Sequence, residues 1–413
     1  MIAKNSKLLL VTVAITAVCA VRGLRGTAAE SPSASDAQTK TIVAATQAFL
    51  DSLSSEQRGK VQFPFTPLKT ATAAKFSRTG MGGGPSGSGG GPGVNPGRGS
   101  GGSGGPEGRR QGPGGGGPGM AAFGGFVGEK YGEAVWSNYP VSDVPRPGLR
   151  LGRLSAKQRD AVTHALQVLL SPKGYQKVLD IMGSDQALSD SGTPFAAGTA
   201  AYTIGIFGTP SATAPWMLEF GGHHLALNIT MAGKHGVITP TLTGAQPAVY
   251  TANGKTVRVL AQENDKAFAL LNALDETQRR QALLNYRVND LVLGPGQAGV
   301  TIQPEGVKAS TLNERQRALL LDVISEWAGL INDAYATPRM AEIKTGLDDT
   351  YFAWSGPTNH EPDKNGSAYY RIQGPKLVIE FSPQGVGGDL TMHVHTMYRD
   401  PTNDYGIKFT NVP

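Results

Sequence analysis

The chain has 413 residues, of which 39% are hydrophobic and 17% charged, so it can bury a large apolar core. Its formal net charge of +6 is a mild excess and does not by itself indicate a nucleic-acid partner. The 56 glycines are about twice the usual share, which predicts that part of the chain is not globular.

The N-terminal residues have the pattern of a secretory signal peptide. Lys4 and Lys7 precede an apolar run from Leu8 to Val18, and small residues follow at Val18-Cys19-Ala20 and again at Thr27-Ala28-Ala29. The run is too short to span a membrane, because a stable span needs about 20 apolar residues. We therefore expect residues 1–29 to be a signal peptide and leader. The mature protein would be periplasmic or extracellular and would have no membrane span.

The only cysteine, Cys19, lies within this predicted signal. A lipoprotein is not favoured, because Val18 occupies the preceding position, where a small residue is expected. The mature protein would then have no thiol, which excludes disulfides, thiolate ligands and cysteine nucleophiles. Any metal site must use histidine and oxygen ligands.

A six-residue pattern occurs four times in the chain. Each copy has Leu, then Ser, Asp or Asn, and a Gln three residues after that polar residue. This arrangement is a capping box, in which the polar side chain binds the N3 amide and the Gln side chain binds back to the cap. It predicts four helix N-termini, at Ser54, Ser155, Asp275 and Asn313. A helical apolar spacing from Asp36 to Leu53 adds to the first copy, so residues 30–79 are predicted to be a helical segment.

Residues 80–128 are rich in glycine, with proline, serine and scattered arginines. Such a segment cannot bury enough apolar surface to offset its backbone entropy, so we predict a disordered insertion. The alternative is an RGG-like nucleic-acid-binding tail, but only Gly97-Arg98-Gly99 fits that pattern. We expect no nucleic-acid partner, and we interpret residues 129–413 together with 30–79 as one folded domain.

Helical patterns return after the insertion. We predict a short helix from Tyr175 to Met182 that stops at Gly183, and a long helix from Glu314 to about Tyr335. Thr337-Pro338 predicts the start of a further helix, because a cap residue precedes a proline at the first helical position.

Period-2 alternation predicts strands in the middle of the chain and near its end. The central run is Trp216 to Met231, Asn253-Gly254 favours a type I′ hairpin turn, and four short strands follow from Tyr351 onward. Helical blocks followed by antiparallel strand blocks predict an α+β fold, with the helices packed on antiparallel sheet.

Four of the seven histidines lie in two short strings, which contain His223-His224 and His393-Val394-His395. If both strings are strands, His393 and His395 point the same way, whereas only one of the adjacent pair can join them unless a bulge forms. The candidate metal ligands are therefore His223, His224, His393 and His395. Imidazole binds Zn, Cu, Mn and Fe, so ligand type does not select the metal. The alternative is a hydrogen-bonded core histidine for His223 or His224, and a hydrogen-bonded strand histidine for His393 and His395.

Five charged residues are candidates for catalytic or substrate-binding roles: Glu219, Glu380, Arg371, Arg399 and Asp400. Glu219 shares the strand parity of His223. Glu380 interrupts an apolar run, where a carboxylate is expensive to bury unless it is paired, and exposure on the second face of the sheet is the alternative. The two arginines would bind an anionic substrate or form ion pairs with nearby aspartates. Glu380 or Asp400 would complete a metal site if the four histidines do not meet.

Several strings resemble the DUF3500 family of mostly secreted bacterial proteins. They are Phe220 to Leu225, Gly346 to Trp354, Tyr369 to Pro375, and His393 to Pro401. The resemblance extends from Asp36 to Tyr405 and is interrupted by the glycine-rich insertion, which is not typical of the family. It implies a secreted protein and supplies no established reaction.

The sequence therefore predicts a secreted or periplasmic protein with a histidine-lined metal site. The leading interpretation is a metal-dependent enzyme, hydrolytic or oxidative, that acts on a small molecule. The alternatives are a non-catalytic protein that binds a metal or small ligand, and an interaction module that uses exposed aromatic residues. A bound transition metal would separate the first two from the third, and an open coordination position would separate the enzyme from the binding protein.

Overall fold

The computed structural model describes residues 33–76, 126–193 and 195–411. The predicted signal peptide, with Cys19, lies outside these residues, and so does most of the predicted insertion. The last residues assigned to that insertion, 126–128, belong instead to a strand. Within the described ranges, no helix combines the length and the apolar character needed to cross a membrane.

The structure contains helices and mainly antiparallel sheet, which confirms the predicted α+β class. The α-helices of the described chain are α1 (Ala34–Asp51), α2 (Ser55–Val61), α3 (Ala156–Leu169), α4 (Pro172–Asp190), α5 (Ala261–Ala273), α6 (Glu276–Ala282), α7 (Glu314–Ala328) and α8 (Asp333–Thr345). The strands are β1 (Gln62–Phe63), β2 (Thr72–Phe76), β3 (Phe126–Tyr131), β4 (Ala134–Trp136), β5 (Leu149–Arg150), β6 (Thr203–Phe207), β7 (Trp216–Gly222), β8 (Leu225–Ala232), β9 (His235–Val237), β10 (Thr241–Ala245), β11 (Val249–Ala252), β12 (Lys255–Arg258), β13 (Val307–Lys308), β14 (Tyr351–Ser355), β15 (Tyr369–Gly374), β16 (Leu377–Pro383) and β17 (Val394–Arg399). Short 3-10 helices lie at Leu151–Arg153, Thr199–Ala201, Ala309–Thr311, Leu347–Asp349 and Asp404–Phe409.

All four predicted helix N-termini are confirmed. Each cap side chain accepts a hydrogen bond from the backbone N–H of the Gln, and each Gln side chain accepts one from the backbone N–H of the cap residue. The four caps are Ser54, Ser155, Asp275 and Asn313. The Gln side chains also bind one another between helices. Gln57 and Gln158 exchange hydrogen bonds of 3.2 and 2.9 Å, and Gln278 and Gln316 exchange bonds of 3.2 and 2.7 Å. The four copies of the pattern are thus joined in two pairs.

These two pairs belong to two halves of the chain that have the same order of elements. The first half runs from α1 to β10 and the second from α5 to β17, and the first half has β1 to β4 and β9 in addition to the shared elements. Gly148 and Gly306 occupy corresponding places, with φ of 103° and 101°. A β carbon at either glycine would meet a strand carbonyl, that of Ile204 in the first half and of Phe352 in the second. The chain therefore contains an internal structural repeat.

One large sheet joins the two halves. Its strand order is β1-β6-β7-β8-β10-β17-β16-β15-β14-β13, with β5 beside β6 and β9 beside β8. Under the repeat, β6, β7, β8 and β10 correspond to β14, β15, β16 and β17. β10 and β17 are antiparallel neighbours at the centre, where Thr241 pairs with Tyr398. The two halves are therefore related by an approximate two-fold axis through this strand pair.

The two faces of this sheet are covered differently. The main core lies between the helices and one face, and it includes Leu320, Val323, Ile324 and Trp327 of α7, as their helical spacing predicts. On the second face, Ala226, Leu242 and Met397 pack with Trp136 and with Leu291 and Leu293 from the connection between α6 and β13. The second face is therefore also buried, under β4 and the irregular connection between α6 and β13.

Three local predictions are wrong. α4 continues through Gly183, because the missing side chain there admits the ring and hydroxyl of Tyr250. α7 ends at Ala328, and α8 begins after the N-cap Asn332, so that Pro338 lies inside α8 and not at its start. The segment 30–79 contains β1 and β2 as well as helices. The predicted hairpin turn between β11 and β12 is confirmed, with positive φ at both of its central residues.

Candidate metal centre

The mid-chain histidines form a tight turn. His223 and His224 connect β7 to β8 in a two-residue hairpin, whose flanking residues Gly222 and Leu225 are paired. The prediction that both histidines lie on a strand is therefore wrong. His224 has φ of 62°, a left-handed conformation that residues with a β carbon rarely adopt. Such backbone strain costs on the order of 1 kcal/mol. The chain thus holds an imidazole where the turn alone would favour glycine or asparagine.

Strand register brings this turn next to the C-terminal histidines. β8 pairs with β10 through Leu225 and Thr243, and β10 pairs with β17 through Gly244 and His395. Continuing the register by one residue places His224 and His395 on either side of Gly244. The missing side chain at Gly244 leaves room for a ring, since a β carbon there would lie 3.2 Å from Cδ2 of His224.

The three residues His224, His393 and His395 form a compact group, which we call the histidine cluster. Their candidate ligand atoms all lie within 4.8 Å of one another. Nε2 of His393 lies 3.0 Å from Nε2 of His224 and 3.1 Å from Nε2 of His395. Two nitrogens bound to one tetrahedral zinc ion lie about 3.3 Å apart, given metal–nitrogen distances of about 2.05 Å. The histidine cluster can therefore hold a metal ion.

Burial keeps the three rings neutral. It is the largest cause that lowers the pKa of His224 and of His395 well below 6.5, and the neighbouring imidazoles act in the same direction. Burial also lowers the pKa of His393 to about 4, against the opposing hydrogen bond to the Val386 carbonyl. A neutral imidazole has one nitrogen lone pair free to bind a metal. At pH 7 each ring of the histidine cluster is therefore in the form that a metal requires.

One of the three rings has an outer hydrogen-bond partner, and a second has a carboxylate nearby. Nδ1 of His393 lies 3.0 Å from the Val386 carbonyl oxygen, and Nδ1 of His395 lies 4.0 Å from Oδ1 of Asp290. Partners of this kind orient the histidines of metal sites. Nδ1 of His224 is buried and has no hydrogen-bond partner among the described residues. Its ring is instead fixed by stacking on His223, with ring centroids 3.7 Å apart.

His223 lies beside the histidine cluster and is not part of it. Its Nδ1 lies 2.7 Å from Oδ1 of Asp185, a buried residue of α4, and its ring contacts Phe195 edge to face. The four candidate ligands are thus divided. Three converge, and His223 supports the ring of His224. Asp185 was not expected from the sequence, because an acidic residue within a helical pattern gives no signal that it contacts a distant turn.

The histidine cluster lies on the wall of a cavity of about 490 Å³. This volume is within the range of small-molecule sites. The wall contains three aromatic rings, those of Phe126, Tyr139 and Phe195. Residues 290–297, which we call the wall segment, contribute six of the lining residues. His395 of β17 and Phe126 and Val127 of β3 lie in strands, and the other lining residues lie in turns and connections.

None of the five charged candidates from the sequence lines this cavity. Two of them hold the wall segment. Glu380 is fully buried and accepts hydrogen bonds from the backbone N–H groups of Val292 and Leu293, at 2.9 and 2.8 Å. Arg399 donates to the carbonyl oxygens of Leu293 and Gly294, at 2.9 and 3.1 Å. Glu380 is buried because this segment covers the second face of the sheet.

Buried ion pairs compensate the charge of Arg399. Its guanidinium pairs with Glu129 at 2.5 Å and with Asp404 at 2.9 Å. The carboxylate of Glu129 also accepts a hydrogen bond of 2.9 Å from the N–H of Gly296 in the wall segment. Arg399 therefore acts as one centre of a buried polar network that fixes this side of the cavity.

The other three charged candidates also have structural partners. Glu219 accepts a hydrogen bond from the N–H of Val135 at 2.9 Å. Two further ion pairs are between Arg371 and Glu305, at 2.9 Å, and between Asp400 and Arg339, at 2.8 Å. These contacts match the ion-pair interpretation of Arg371 and Arg399, although only Arg399 pairs with an aspartate.

The fold and the site define an internally repeated α+β protein with a three-histidine centre that can hold a metal. The chain belongs to the family described as "Protein of unknown function (DUF3500)", whose model matches residues 126–407, more than half of the chain. The family resemblance seen in the sequence is thus confirmed. No curated protein and no solved structure matches the chain.

Proposed function

We propose that the protein binds a divalent transition metal through Nε2 of His224, His393 and His395 and acts as a metal-dependent enzyme, hydrolytic or oxidative. The observation that supports this most directly is the convergence of three neutral imidazoles on the wall of a cavity. Structural zinc sites are closed by four protein ligands, whereas catalytic sites have three and keep an open position. A three-histidine set facing a cavity fits the catalytic class.

The strained turn adds independent support. Backbone strain concentrates at functional sites, where the surrounding structure maintains it. His224 is held at positive φ by the hairpin register, by the space over Gly244 and by stacking on His223. A purely structural hairpin would be more stable with glycine at this position. The surrounding contacts therefore maintain the strained backbone, and this backbone places the His224 ring in the histidine cluster.

A bound metal would activate a water molecule or polarise a substrate oxygen at the open position. The chain itself supplies three oriented imidazoles and a cavity that separates the reacting groups from bulk water. Zn, Cu, Mn and Fe all accept imidazole ligands, and the ligand set does not choose among them.

Metal analysis tests the first part of the proposal. Protein purified without chelator is expected to contain about one metal ion per chain, and the His393→Ala/His395→Ala variant is expected to contain none. The matched control is His164→Ala, which removes an exposed histidine of α3 and is expected to retain the metal. Equal and negligible metal in all three proteins would overturn the proposal.

The second part separates an enzyme from a non-catalytic metal-binding protein. Cobalt-substituted protein is titrated with azide while its visible absorption spectrum is recorded. A saturable change of the spectrum is expected, because an open position accepts the added anion. A cobalt spectrum that azide does not alter would indicate closed coordination and would favour the non-catalytic protein.

We also propose that the protein is exported from the cytoplasm. The support is the run of apolar residues after Lys4 and Lys7, followed by small residues, at the N-terminus. N-terminal sequencing of protein from the periplasmic or culture fraction is expected to begin after Ala20 or Ala29. Full-length protein confined to the cytoplasmic fraction would contradict export.

A further inference from the structure

The cavity wall has acidic but no basic side chains among the described residues. Asp143 and Asp290 lie on the wall, and no lysine or arginine of the described chain does. Arg146 is buried and does not reach the wall. Its guanidinium donates hydrogen bonds to the carbonyl oxygens of Ser137, Tyr139 and Gly222, at 2.5, 2.5 and 3.1 Å. A negatively charged group held in this space away from the histidine cluster would lose hydration without gaining a cationic partner among the described residues.

Three carboxamide side chains are available on the same wall. Those of Asn138, Gln246 and Gln297 have no hydrogen-bond partner among the described residues, and Oε1 of Gln246 is buried as well. A carboxamide both donates and accepts hydrogen bonds, so it complements hydroxyl and amide groups of a ligand. A buried and unpartnered amide oxygen is costly, and a donor on a ligand would remove that cost.

The remaining surface of the wall is largely apolar. The rings of Phe126, Tyr139 and Phe195 face the cavity together with aliphatic side chains of the wall segment and Val386. Val386 is 59% exposed although it is aliphatic, which places unburied apolar surface at the cavity. Aromatic walls of this kind pack against rings or chains of a ligand.

We infer, on the basis of the proposed metal site, that the substrate has no negatively charged group away from its metal-binding end, and that an apolar ring or chain of it carries hydroxyl or amide groups. One end of it reaches the metal at the histidine cluster. The rest lies between the aromatic rings and the free carboxamides. Molecules with a carboxylate, phosphate or sulfate away from the metal-binding end are rejected, because no cation of the described wall can pair with it.

Three probes that share one metal-binding group test this inference. Benzohydroxamic acid binds metals through its hydroxamate, and its 4-carboxy and 4-aminomethyl derivatives differ from it only in the charge of the remote group. Each probe is titrated into metal-loaded protein by calorimetry. The 4-carboxy probe is expected to bind at least ten-fold more weakly than the parent, and the 4-aminomethyl probe no more weakly than the parent.

A gain of charge provides the matched control. Gln297→Lys introduces a cation on the wall and is expected to restore binding of the 4-carboxy probe, whereas Gln297→Met, of similar length and without charge, is not. Restoration by both variants would show that size decides the selectivity and would overturn the inference.

The outcomes distinguish this inference from the proposed function. Equal binding of all three probes by metal-loaded wild type would refute the charge selectivity and leave the metal site intact. Absence of metal from the protein would refute the proposed function. Stoichiometric metal without binding of any probe would show closed coordination and would overturn both the proposed enzyme and its substrate class.

Discussion

Replacement of Glu219 by Gln is expected to stabilise the protein at alkaline pH. The Glu219 side chain is 2% exposed, and its Oε1 has no hydrogen-bond partner among the described residues. Burial raises the pKa of this carboxyl from 4.5 to about 8, against the opposing effects of the Val135 N–H and Arg146. Gln has nearly the same shape and accepts the same hydrogen bond from Val135, but it does not ionise.

The direction of the pH dependence follows from where each state releases its proton. In the unfolded chain the carboxyl ionises above its ordinary pKa of 4.5, whereas in the folded protein it ionises above about 8. Between these values the folded state retains a proton that the unfolded state has lost, so the free energy of unfolding falls as the pH rises. The contribution of the Glu219 carboxyl to the free energy of unfolding is at its full value below pH 4.5 and is lost by about pH 8. The difference between the two pKa values corresponds to about 5 kcal/mol at most.

Urea unfolding of wild type and Glu219→Gln between pH 5 and pH 9 measures this effect. The free energy of unfolding of the variant, relative to wild type, is expected to rise by several kcal/mol over this range. Glu133→Gln is the matched control, since Glu133 is exposed in the turn between β3 and β4. If the difference between Glu219→Gln and wild type is the same at pH 5 and pH 9, the assigned ionisation of Glu219 is refuted.

Three further predictions concern the insertion, the helix caps and the strained turn. Replacing residues 77–125 by Asn-Gly is expected to leave the melting temperature unchanged, because the flanking residues are paired in the β2–β3 hairpin and a two-residue turn can join them; a large fall would contradict this. Ser155→Ala is expected to reduce the free energy of unfolding by about 1 kcal/mol in urea denaturation, without loss of bound metal. In metal-free protein His224→Gly is expected to reduce the free energy of unfolding less than His393→Gly, because a φ of 62° suits glycine. Equal reductions would show that the backbone at His224 is not strained.

Features encoded within a few residues could be predicted from the sequence. The cap of Ser155 depends on Gln158, three residues away, and the turn at Asn253-Gly254 depends on two adjacent residues. The common direction of His393 and His395 follows from a spacing of two. In each case the residues lie within three positions of one another, so the local pattern contains the information that determines the feature.

Features that depend on distant contacts could not be predicted in this way. Glycine is common at helix C-termini, yet Gly183 lies within α4, where its missing side chain makes room for Tyr250. The His223-His224 turn violates the local preference for glycine, so no local pattern indicates it. Strand alternation places Glu380 on the second face of the sheet, and only the tertiary fold covers this face with residues 290–297. Asp185 and Asp290 reach the histidines only through the tertiary fold.

The internal repeat places the histidine cluster across the junction of its two halves. The hairpin that corresponds to Gly222–Leu225 is Gly374–Leu377, with the same two-residue spacing, but its turn is Pro375-Lys376. One half therefore contributes His224 and the other contributes His393 and His395, and neither half has the full ligand set. The chain resembles two fused subunits with the ligands across their interface. Fragments separated after β12 would bind the metal only on reassociation, so metal uptake would report how the two copies recognise each other.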